Sequence, residues 1–174
     1  MELLTKYIIA LIFTSLSTYT DIKYGKIKNI FSLSLILLSL VLSLVFLDLN
    51  FTDNILGLMV PLILGFPFYA LKMFGAGDIK LFCGLGALFG VEWILWCMAY
   101  SIFSGGVVAL FIIIISNNAI DRFKYLFNYL KYTFLTLKFT PYQNFDKNTG
   151  TFPFAIAILL GVIVSAFVDF KMIM

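Results

Sequence analysis

Long apolar stretches alternate with short polar, lysine-bearing ones along this chain. Apolar runs occupy Tyr7 to Tyr19, Ile30 to Leu47, Ile55 to Leu71, Ile79 to Val91, Trp93 to Ile115 and Phe152 to Val168. A helix needs about 20 residues to cross the roughly 30 Å hydrocarbon core of a bilayer. The second, third, fifth and sixth runs come near that length. The first reaches it only with its flanks, and the fourth is short. Either the fourth helix starts before the glycines that precede it, or Asp78 lies below the headgroups in a protein-lined or watery recess. The pattern predicts an all-α polytopic membrane protein with six transmembrane helices, forming a single domain over residues 1–174.

The polar positions orient these spans. Lys23, Lys26 and Lys28 follow the first; Lys72 and Lys80 flank the start of the fourth; Arg122, Lys124, Lys131, Lys138 and Lys147 fall in the long fifth connection. Six alternating spans put all of them on one side, with Lys6, Lys171, Asp48, Asp53 and Glu92 on the other. The positive-inside rule then sets both termini outside and the lysine-rich side in the cytoplasm of a multi-pass plasma-membrane protein.

Within the fifth connection, Lys124, Lys131 and Lys138 recur at heptad spacing, while Phe123, Phe127, Leu130, Phe134 and Leu137 supply an apolar face. This predicts an amphipathic helix on the cytoplasmic surface, its lysines meeting anionic headgroups. A seventh span is the rival reading, and it would place Lys131 near mid-membrane.

Composition narrows the chemistry. The chain is 62% hydrophobic and 12% charged, too apolar for a soluble domain. With no histidine and two cysteines inside apolar runs, Cys83 and Cys97, neither a conventional zinc site nor a histidine-dependent nucleophile is expected, and no cofactor is called for. The net charge of +3 sits at membrane edges; membrane lipids, not nucleic acid, are the expected surroundings. Gly86 and Gly90 make a GxxxG spacing, Gly105-Gly106 interrupts the fifth span, and Pro61 and Pro67 kink or pack the third.

Two acids stand out against this background. Asp21 ends the first apolar stretch, and Asp78 closes the tetrad Gly75-Ala76-Gly77-Asp78. Apart from Asp121, other acids are missing from the cytoplasmic span ends. An acid at the edge of the hydrocarbon is costly and by default marks a function. Two carboxylates brought together share a proton: the ionised one can activate water while the neutral one polarises a carbonyl and later protonates the amine. Gly75 and Gly77 permit a tight turn and leave room for an extended substrate. Lys23 and Lys80, each two residues beyond an aspartate, are expected to anchor headgroups or support the site. The same acids are compatible with a Mg²⁺ clamp, with a small carrier of a cation or proton, or with a noncatalytic assembly role in which glycines pack helices.

At these residues the chain resembles the type IV prepilin peptidases, in particular their short peptidase-only branch. The resemblance lies in Asp21-Ile22-Lys23, then Ile27-Lys28-Asn29, then Gly75-Ala76-Gly77-Asp78-Ile79-Lys80-Leu81, with a weaker match from Pro153 to Ala157 and at Gly161. It implies a six-helix aspartyl protease of the GxGD type, with Asp21 and Asp78 as the catalytic pair and Gly75, Ala76 and Gly77 positioning the second. The implied substrate is a prepilin-like or archaellin-like membrane-anchored precursor, whose short basic leader is cut off at the cytoplasmic face. Lys28 stands where the family usually has proline. The cysteine-rich insertion of larger bifunctional members is missing, so neither N-methylation nor a zinc requirement is carried over. Presenilin-type proteases share GxGD, but their other aspartate directly follows a tyrosine inside a span, whereas Thr20 separates Tyr19 from Asp21 here.

Overall fold

A computed structural model describes residues 2–45, 51–70, 74–115 and 153–173. These residues form helices α1 (Glu2–Tyr24), α2 (Asn29–Val45), α3 (Phe51–Ala70), α4 (Ala76–Phe89), α5 (Val91–Ile115) and α6 (Ala155–Ile173). The long polar connection with its expected amphipathic helix lies outside the described residues.

The first helix takes in both flanks of its apolar run, as its length requires. It continues through Asp21, and Gly25 ends it with φ +64° and an N–H that donates to the Asp21 carbonyl at 2.8 Å. A left-handed residue of this kind is a common helix stop, and glycine adopts it without strain. Asp21 therefore occupies the last turn of α1 rather than the chain beyond it.

The short fourth run stays short. Helix α4 starts inside the glycine tetrad, at Ala76, and ends at Phe89. Gly90, at φ +92°, returns its N–H to the Gly86 carbonyl at 2.8 Å, and α5 begins at the next residue. The helix does not start before the glycines, and Asp78 is buried among protein. Gly90 is thus a helix stop as well as a packing glycine: a methyl group on Gly57 of α3 would meet both Gly86 and Gly90 backbone.

Helix α4 is buried from Ile79 to Leu88 except at Lys80, at the centre of the bundle. Its neighbour α3 offers a stripe of Asn54, Gly57, Pro61 and Gly65, all buried and spaced for one helical face. A methyl group on Gly86 would run into the Gly57 carbonyl, so the two backbones touch. On another face, Ser39 of α2 donates to the Gly84 carbonyl at 3.0 Å. Helices α5 and α6 meet similarly: Ser104 donates to the Ala157 carbonyl at 3.1 Å, and Gly105 packs against Ala157 and Phe154. Helix α5 runs unbroken through Gly105-Gly106, because small size there admits α6 and does not end the helix. Small residues and hydroxyl-to-carbonyl bonds suit a lipid setting, where burial from water does not drive helices together.

The packing divides into two groups. Helices α2 and α3 pack chiefly on α4, while α6 packs on α5 and on α1; α5 also touches α3 and α4. At the end of the bundle holding the α1 N-terminus, the Tyr7 hydroxyl donates to Asp169 of α6 and accepts from Trp93 Nε1 of α5 at 2.7 Å.

The outer surface is strongly apolar, with Phe103 76%, Phe167 73% and Ile63 70% exposed. Among the described residues, three segments, Leu3–Tyr24, Phe51–Ala70 and Val91–Phe111, are long and apolar enough to cross a bilayer. The molecule is a multi-helical all-α membrane protein. Cys83 and Cys97 are buried free thiols, as their apolar surroundings in sequence suggested.

Candidate active site

The last turn of α1, the α1–α2 turn and the first turns of α4 and α6 converge on a cavity of about 620 Å³. Asp21, Gly25 to Asn29, Gly75 to Asp78 and Phe154 line it. Both aspartates are almost fully buried, Asp21 8% and Asp78 7% exposed, and Asp78 lies within electrostatic reach of Asp21. Two acids separated by most of the first half of the chain thus share one chamber.

Each carboxylate is held by backbone. Asp78, in the first turn of α4, reaches back so that Oδ2 accepts the Gly75 N–H at 2.9 Å, as in half of a capping box. Asp21 Oδ2 accepts the N–H of Ala155, the first residue of α6, at 3.2 Å. The first amides of a helix have no partner within it, so each is free to donate to a carboxylate placed beside it.

The glycines have distinct roles. A methyl group on Gly77 would stand 2.8 Å from Ile27 Cβ, so glycine lets α4 close onto the α1–α2 turn. On Gly75 it would stand 3.2 Å from Asp78 Oδ2, crowding the carboxylate it serves. Ala76 begins the helix between them. Phe154 lies on the cavity wall and stacks on Phe74 at 4.6 Å, which stacks on Phe68 at 5.1 Å. Phe68 and Phe74 carry no motif that marks them in the sequence, whereas Phe154 and Ala155 fall within the weaker match from Pro153 to Ala157.

The two lysines lie outside the carboxylate contacts. Lys80 Nζ donates to Asn29 Oδ1 at 3.1 Å, tying α4 to the start of α2. Lys23 stands over the rings of Tyr19 and Tyr24, at 5.7 and 5.5 Å from their centroids. Lys28, where proline was expected, rests over Tyr24 at 4.7 Å. Among the described residues, no three His, Cys, Asp or Glu side chains gather as a metal site would require.

A buried pair of carboxylates in a helical membrane bundle defines the class of membrane aspartyl proteases. The model of the type IV leader peptidase family matches residues 8–110, more than half of the chain, and the chain belongs to that family. Its activity is accordingly that of an aspartic-type prepilin leader peptidase. No curated relative and no solved structure matches the chain.

Proposed function

We propose that Asp21 and Asp78 are the catalytic pair of this leader peptidase, and that the cavity between α1, α4 and α6 admits the precursor at the leader boundary. The observation that carries the reading is the shared chamber: both aspartates line it, each buried and each with one oxygen held by an amide. In this reading the ionised carboxylate takes a proton from water as its oxygen attacks the peptide carbonyl carbon. The protonated partner donates to the carbonyl oxygen, giving a neutral tetrahedral diol. Collapse of the diol breaks the C–N bond, with a proton passing to the amine.

The positive-inside pattern supports a cytoplasmic site, six spans and termini on the outer side. The amphipathic segment between α5 and α6 then belongs at the cytoplasmic surface among anionic headgroups. A precursor helix would stay in the bilayer beside the bundle while its basic leader enters the cavity. Either an archaellin-like or a pilin-like precursor fits this description.

The test is cleavage of a membrane-anchored candidate precursor by the purified protein in liposomes, with the new N-terminus read by mass spectrometry. One cut at the leader boundary, lost in both Asp21→Asn and Asp78→Asn proteins that remain inserted, is the expected result. Persistent cleavage by either variant would remove that aspartate from the mechanism.

A further inference from the structure

Thr18 and Asp21 lie three residues apart on α1, and both meet the same residue of α6. Ala155 donates its N–H to Asp21 Oδ2 at 3.2 Å, and its carbonyl accepts from Thr18 Oγ1 at 3.0 Å. Both polar groups of one backbone residue are therefore engaged by a single face of α1. Ala155 is fully buried and Thr18 only 7% exposed, so the hydroxyl-to-carbonyl contact is shielded from bulk water.

We propose that Thr18 is a positioning residue for the cleavage reaction, acting through Ala155 to fix the start of α6 against Asp21. The inference rests on the reading of Asp21 as catalytic. The hydroxyl also lies 2.8 Å from the Thr14 carbonyl of its own helix. With a single proton to donate, it bridges one carbonyl of α1 and one of α6. That bridge sets the axial register of the two helices. It shares that task with the Tyr7 to Asp169 bond at the far end of the same two helices, but beside Asp21 the Ala155 side chain adds only a methyl group.

The consequence falls on Asp21. A hydrogen bond of 3.2 Å is already at the long end of the normal range, and a shift of a few tenths of an ångström along the helix removes it. Helix α6 would carry Phe154, on the cavity wall, with it. Thr18 touches neither the cavity nor substrate, so its loss misplaces an oxygen at the reacting centre while leaving most of the binding surface intact. Misplacement on this scale lowers turnover more than affinity.

The experiment compares Thr18→Val, which keeps the shape and loses the donor, with Thr18→Ser, which keeps the donor, beside Asp21→Asn in the full chain in liposomes. We expect kcat for Thr18→Val to fall about tenfold with KM within about twofold, and Thr18→Ser to restore kcat to within about twofold of wild type. Wild-type kcat in Thr18→Val, equal impairment in both variants, or a rise in KM alone overturns the positioning role. If Thr18→Val does not accumulate folded, Thr18→Ala takes its place under the same criteria. Full activity in Asp21→Asn would bring down the catalytic reading itself. A dead Asp21→Asn with an unaffected Thr18→Val overturns only the role of Thr18.

Discussion

Asp21 and Asp78 are held by the same device: Oδ2 of each accepts a backbone amide at a helix N-terminus, from Ala155 at 3.2 Å and from Gly75 at 2.9 Å. One oxygen of each carboxylate is thereby fixed, and the other remains outside these two contacts. Under the proposed catalytic reading the two carboxylates exchange proton roles during one turnover, and matched support on both sides suits that exchange.

Asparagine keeps an oxygen for the supporting amide but cannot carry the proton. Asp21→Asn and Asp78→Asn should each lower the cleavage rate at least about a thousandfold, and the double variant should be no slower than either single one, because the two groups act as a unit. Single-turnover cleavage, with product followed by mass spectrometry, checks both statements.

Gly86 and Gly106 make a matched comparison. A methyl group on Gly86 meets the Gly57 carbonyl, whereas nothing lies within 4 Å of one on Gly106. Gly86→Ala should destabilise the protein by roughly 1–3 kcal/mol by forcing α3 from α4, and Gly106→Ala should leave stability unchanged or slightly raised. Thermal unfolding in detergent distinguishes the two.

Gly77→Ala should reduce cleavage at least about tenfold while the helices remain formed. The opposing atom is Ile27 Cβ at 2.8 Å, which no rotamer change can move. The backbone must give, and it gives beside Asp78. Circular dichroism together with kcat and KM would show the effect.

Tyr7→Phe removes the hydroxyl shared by Asp169 and Trp93. Leaving those partly buried groups without it should cost about 1–3 kcal/mol of stability. The change lies at the end of the bundle away from the candidate site, so kcat measured well below the unfolding temperature should match wild type.

Hydropathy located the interior of every described helix but misplaced several ends. It senses apolar surface, and α1 remains helical through Glu2, Lys6 and Asp21, where the surface turns polar. Sidedness brought Asp21 and Asp78 together, because acids at corresponding span ends must face the same chamber or the same water. Gly90 shows a different limit: it both takes a positive φ and lies close against α3, and a GxxxG spacing announces only the second. The Ala155 amide was illegible for a simpler reason, since any residue but proline would supply it. Thr18 left a faint trace in its spacing from Asp21, ambiguous because threonines in membrane helices ordinarily bond back to their own chain, as Thr14 does with Ala10.

The division of the bundle into two helix groups has a consequence for the chamber. Asp78 stands on α4, which packs chiefly on α2 and α3, and Asp21 on α1, which packs chiefly on α6, so the chamber holding both lies where the two groups meet. The chamber therefore belongs to neither group alone: its shape is a property of how the two are joined, and a substitution remote from either aspartate can alter it through that join.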